Sequence, residues 1–134
     1  MNEENTRELR HHQRMQRKKE VIDAKVAAAQ QARGILLVNT GNGKGKSSAA
    51  FGVVARALGH GQRAAVVQFV KGRSDTGEEG SFRKFPGQVR WHVCGEGFTW
   101  ETQDAGRDAR AAQAAWAIAR ECLADASVNL VVLD

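Results

Sequence analysis

The residues from Thr40 to Ser48, Thr-Gly-Asn-Gly-Lys-Gly-Lys-Ser-Ser, have the types and spacing to hold a polyphosphate. They follow the pattern G-x-x-x-x-G-K-[ST], with Gly45, Lys46 and Ser47 in the last three places and Thr40 standing where the first glycine is usual. Gly41, Gly43 and Gly45 permit backbone conformations closed to residues with a Cβ and let N–H groups approach an anion closely. Such donors form an inward-facing nest, reinforced by the free N–H groups and dipole at the start of a following helix. Lys46 would reach a phosphate oxygen as a point charge, Lys44 adds a second cation, and the Ser47 hydroxyl would ligate a nucleotide-bound Mg2+. Asn42, Ser48 and Thr40 complete the cradle, so the nine residues are read together as the nucleotide-binding loop.

Such a loop needs a strand before it and a helix after it. Residues 34–39, Gly-Ile-Leu-Leu-Val-Asn, have strand composition, and residues 47–58 read as a helix. Gly59 and Gly61 then stop the helix. Residues 64–70 read as a second strand, continuously apolar as in parallel sheets covered on both faces. Residues 71–87 hold four glycines, the only proline and many charges, which predicts an irregular connection with a helical turn near 81–85. A third strand is expected over 89–94, and an Ala-rich helix over 104–125 with Ala112, Ala115, Trp116, Ala119 and Leu123 facing inward. The chain closes on Val-Asn-Leu-Val-Val-Leu-Asp, residues 128–134. An apolar strand finishing in Asp134 is the second half of a phosphate-loop site, its carboxylate near Mg2+ directly or through a water. The expected fold class is therefore α/β: a P-loop (RecA-like), mostly parallel sheet flanked by helices, preceded by a helical arm.

That arm is residues 1–33, with 34–134 as the nucleotide-binding domain. It lacks Gly and Pro and is rich in good helix formers, but Leu9, Met15, Ile22 and Val26 make only a weak apolar stripe, so we expect a helix lightly anchored. The net charge is +5; residues 1–33 carry eight Lys and Arg against five Asp and Glu, and the rest twelve against ten. A basic arm suits nucleic acid in principle, yet this one has no aromatic residue to stack on a base, and a nucleic-acid partner is not expected. No apolar run is long enough to span a bilayer, and the start of the chain is charged where a signal peptide is apolar, so no membrane partner and a cytoplasmic location are expected. Cys94 and Cys122, the two cysteines, lack metal-ligand spacing and read as small buried hydrophobes in a reducing compartment.

Three further stretches carry a resemblance. Arg-Met-Gln-Arg-Lys-Lys at 14–19, Gly-Glu-Glu-Gly at 77–80 with Arg-Lys-Phe-Pro at 83–86, and Gly-Glu-Gly-Phe-Thr-Trp-Glu-Thr at 95–102 join the loop at 40–48. Together they resemble the ATP:corrinoid adenosyltransferases of the CobA/CobO/BtuR family over nearly the whole chain. The resemblance implies transfer of the 5'-deoxyadenosyl group of ATP to the Co(I) centre of a corrinoid, with release of triphosphate, in adenosylcobalamin biosynthesis or salvage. It also implies a nucleotide lying in the loop in reverse, the γ-phosphate where the β-phosphate lies in ordinary NTPases. Phe98 and Trp100 match the aromatics with which the family displaces the lower axial ligand of the corrinoid, which eases reduction of Co(II) to Co(I). With Lys46 they form the implied catalytic set, and Ser47 and Asp134 the implied metal set. A homodimer with the arm over the active site and a reduced flavoprotein as electron donor are also implied. The family continues past the strand-end Asp with a Glu and further strands, whereas this chain stops at Asp134. We therefore expect the 134-residue chain to be marginally stable and weakly active or inactive alone. The alternative reading is a kinase or NTPase acting on the γ-phosphate, for which no water-positioning or base residue stands out.

Overall fold

The computed structural model describes residues 3–69, 76–95 and 105–134. Its backbone clusters into two compact units, Met1–Leu37 and Val38–Asp134. The first holds helix α1, Glu3–Ala28, which has no glycine or proline to interrupt it. The apolar side chains along α1, Leu9, Met15, Val21, Ile22 and Val26, are all exposed. No helix among the described residues is long and apolar enough to cross a membrane.

The second unit contains α2 (Lys46–Gly59), β1 (Ala64–Gln68), α3 (Gly77–Phe82), β2 (Val89–Val93), α4 (Ala105–Ala124) and β3 (Leu130–Leu133). The three strands form one parallel sheet in the order β2-β1-β3. Register runs from Ala64 opposite Val89 to Gln68 opposite Val93 on one side of β1, and from Ala64 opposite Leu130 to Val67 opposite Leu133 on the other. Both faces of β1 are covered, and all five of its residues are buried. Side-chain alternation sorts them. Ala64 and Val66 join Phe51, Val54, Val89, Trp91 and Val132 on the face that α2 and Phe82 cover, while Val67 joins Ala115 and Ala119 of α4 on the other. Phe51, Phe82 and Trp91 form an aromatic cluster, with Phe82 and Trp91 stacked at 5.7 Å.

Loops are fixed by local chemistry. Gly61 takes φ 70° after α2, a left-handed turn that favours glycine. Thr76 caps α3, its hydroxyl accepting from the Glu79 N–H. Arg83 pairs with buried Glu79 at 2.6 Å and donates to the Trp91 carbonyl, tying α3 to β2. Arg90 on β2 pairs with Asp125 beyond α4 at 2.5 Å.

Four expectations need correction. Residues 34–39 form no strand and are exposed. Apolar composition is not sufficient, since a strand also needs a hydrogen-bonding neighbour, and the sheet among the described residues is β2-β1-β3 without this segment. The inner face of α4 is Ala115, Ala119 and Cys122, with Ile118 beside them, while Ala112, Trp116 and Leu123 are exposed. The face is rotated from the expected one because a narrow stripe of small residues lets the helix pack close on Val67. The turn expected near 81–85 is a helix at Gly77–Phe82, started by the Thr76 cap. Cys122 is buried as expected, but Cys94 is only half-buried, and burial still raises its thiol pKa.

Candidate phosphate and metal site

The site lies at the C-terminal ends of the strands, where open α/β sheets bind ligands. Thr40 to Gly45 form an exposed loop that leads into α2. Gly41, Gly43 and Gly45 adopt φ of 126°, 94° and 106°, so each glycine of the motif occupies a backbone conformation that disfavours a side chain. Gly45 is the N-cap of α2, and no side chain caps the helix start, which leaves its first N–H groups for an anion.

Lys46 folds back over the loop. Its Nζ donates to the Gly41 carbonyl at 2.8 Å and the Gly43 carbonyl at 2.6 Å. An ammonium placed among the loop's own carbonyls stands beside the space that the N–H groups define, and can exchange those acceptors for phosphate oxygens. Lys44, Asn42 and Ser48 are exposed along the same stretch.

Ser47, in the first turn of α2, donates its hydroxyl to Asp134 Oδ1 at 2.6 Å across 87 positions of sequence. The register explains the meeting. Val67 pairs with Leu133, so Asp134 lies just beyond the end of β3, its N–H donating to the Val67 carbonyl at 3.0 Å and its carbonyl accepting from the Phe69 N–H at 2.8 Å. Loop and strand end, predicted separately from sequence, thus come together. A hydroxyl and a carboxylate side by side are hard oxygen donors of the kind Mg2+ takes alongside phosphate oxygens and water, so this pair fits such an ion. Phe98 and Trp100 lie outside the described residues.

Gln68 escaped the sequence reading. Its amide is 1% exposed, donates from Nε2 to Asp134 Oδ2 at 2.8 Å, and accepts at Oε1 from the Trp91 indole at 3.2 Å. A signal existed: Gln68 is the one polar residue in an otherwise apolar strand, at the end where ligands bind.

Comparison with known proteins gives a consistent result. Residues 32–134 match the model of the family described as ATP:corrinoid adenosyltransferase BtuR/CobO/CobP, and residues 1–26 match the one described as Cob(I)alamin adenosyltransferase N terminal. The whole chain is 61% identical to a corrinoid adenosyltransferase of Pseudomonas aeruginosa and covers 66% of it. Over 93% of the chain it is 49% identical to corrinoid adenosyltransferases of Escherichia coli K12 and Salmonella typhimurium LT2, covering 63% of each. The chain thus spans somewhat less than two thirds of the length of these curated relatives.

Proposed function

The chain belongs to the ATP:corrinoid adenosyltransferase family, and from that premise we propose that it serves transfer of the 5'-deoxyadenosyl group of ATP to a corrinoid. The observation that carries this reading is the Ser47–Asp134 hydrogen bond, which joins a phosphate loop to a strand-end carboxylate. In the proposed reaction the Co(I) electron pair of the corrinoid attacks C5' of ATP. A cobalt–carbon bond forms, the C5'–O bond breaks, and its electrons leave with triphosphate. The substrate supplies the nucleophile, so this chain's work is to position the nucleotide and stabilise the leaving group.

Each residue has a role in that scheme. The N–H groups of Thr40 to Ser48 receive the triphosphate, with Lys44 and Lys46 offsetting its charge. Ser47 and Asp134 would hold Mg2+, which when bound neutralises charge developing on the leaving group. Phe98 and Trp100 would displace the lower corrinoid ligand as an apolar wedge. The arm of residues 1–33 would cover the site in a homodimer in the cytoplasm, with a reduced flavoprotein delivering the electron.

The test is an anaerobic incubation of the chain with ATP, Mg2+, a reductant and a corrinoid. Light-sensitive adenosylcorrinoid and triphosphate are expected; ADP and phosphate formed without corrinoid would overturn the reading in favour of γ-phosphoryl chemistry. Phe98→Ala or Trp100→Ala should slow reaction from Co(II) corrinoid by tenfold or more, about 1.4 kcal/mol, with less effect when Co(I) is formed beforehand. Equal losses from both starting states would remove the displacement role.

A further inference from the structure

We infer that Gln68 is a positioning residue of the metal site: its buried amide, held in one orientation by the Trp91 indole, sets the Asp134 carboxylate to face Ser47. This rests on the proposed role of Ser47 and Asp134 in holding Mg2+, and adds two residues that belong to neither the loop nor the strand-end Asp.

The orientation follows from donor and acceptor chemistry. An indole Nε1 can only donate and an ionised carboxylate can only accept. Gln68 stands between them, so its Oε1 must face Trp91 and its Nε2 must face Asp134; the flipped amide would set donor against donor and acceptor against acceptor. The strand register supplies the geometry. Trp91 pairs with Val66, two residues before Gln68 on the same face of the sheet, so indole and amide are diagonal neighbours. Trp91 is itself fixed between Phe51 and Phe82, at ring distances of 5.2 and 5.7 Å. The aromatic core therefore holds the indole, the indole holds the amide, and the amide occupies Oδ2 of Asp134 while Oδ1 meets the Ser47 hydroxyl. Gln68 thus adds a buried, fixed donor to one oxygen of the carboxylate while Ser47 meets the other. Partners that orient a metal ligand in this way typically alter metal affinity by about 10–100-fold when removed.

A role limited to satisfying a buried polar group would leave a different signature. It would change folding stability, and with it nucleotide binding, equally with and without metal. The experiment is to measure ATP affinity of the 134-residue chain by calorimetry in Mg2+ and again in EDTA. Wild type should bind ATP more tightly in Mg2+. Gln68→Leu, similar in volume but without hydrogen bonds, should reduce that tightening about tenfold, with affinity in EDTA kept within about twofold. Trp91→Phe, which keeps a ring but removes the N–H, should reduce it in the same direction by a smaller factor. Full Mg2+ tightening in folded Gln68→Leu, or equal losses in Mg2+ and EDTA, would overturn the inference. If Gln68→Leu does not reach the wild-type circular dichroism spectrum, Trp91→Phe decides, and unchanged Mg2+ tightening there overturns it. Wild type without any Mg2+ tightening would instead refute the metal reading beneath it.

Discussion

Ile35, Leu36, Leu37 and Val38 are exposed by 78, 88, 67 and 72%, whereas Ala64, Ala65, Val66 and Val67 are exposed by 1% or less. The two runs are alike in length, and the exposed one is the more hydrophobic in side-chain volume. What separates them is pairing. β1 has a parallel neighbour on each side and a helix layer on each face, so every backbone group has a partner and every side chain a contact. Residues 34–38 belong to no strand. Burial in a parallel sheet is thus a property of the neighbourhood a segment finds, and composition only qualifies a segment for it.

The widest test of that contrast is a charge placed in each run. Val66→Asp should abolish the cooperative thermal transition, because a buried unpaired carboxylate costs several kcal/mol against a total stability of about 5–15 kcal/mol. Leu36→Asp should change stability by no more than about 0.5 kcal/mol, as an exposed site does. Melting curves followed by circular dichroism compare the two directly. Similar losses from both would mean that residues 34–38 are covered in solution, and the contrast would fail.

The loop that follows the exposed run offers a sharper, smaller test. Lys46→Ala should weaken ATP binding by roughly 100-fold, the equivalent of about 3 kcal/mol for a lost charge-assisted contact. Its melting temperature should barely move, since Lys46 is exposed and donates to loop carbonyls. Unchanged nucleotide affinity would dismiss the loop assignment whatever the state of residues 34–38.

The smallest effect is expected where β2 meets the end of α4. The Ser127 hydroxyl and N–H, and then Arg90, hold the Asp125 carboxyl well below the ordinary carboxylate range. A depressed folded pKa stabilises the protein above the unfolded value, and that contribution fades as pH falls through the folded one. Asp125→Asn should therefore lower the melting temperature slightly at neutral pH, with the gap to wild type closing in strong acid. A gap that persists at low pH would assign the effect to the lost side-chain geometry instead. Because these groups are partly exposed, salt should also narrow the gap.

Legibility in the sequence followed the range of the cause. The glycines at 41, 43 and 45 announced the loop because positive φ is a local demand, and the structure places positive φ at each. The helix after it began at Lys46, one residue from expectation, and strands were found where 64–70 and 89–94 were read, in shortened form. The Ala-rich helix was found, but its buried face was rotated, since Trp116 and Leu123 outrank alanine in hydrophobicity while it is Ala115 and Ala119 that pack against Val67. Asp134 was read correctly as a strand-end acid. Its partner in the site was half read: Ser47 from the motif, Gln68 not at all.

The sequence by itself determined the local chemistry: which residues can bend, which can carry charge, which can offer an oxygen donor, and that the family motifs stand in their order. Those properties depend on a residue and its few neighbours in the chain. Only the tertiary structure decided which apolar run became the centre of the sheet, which stripe of α4 faces it, and that Trp91, Gln68, Asp134 and Ser47 form one line of hydrogen bonds. The reason is that these depend on strand register and on competition for a limited number of buried places, and both are set by contacts between residues tens of positions apart.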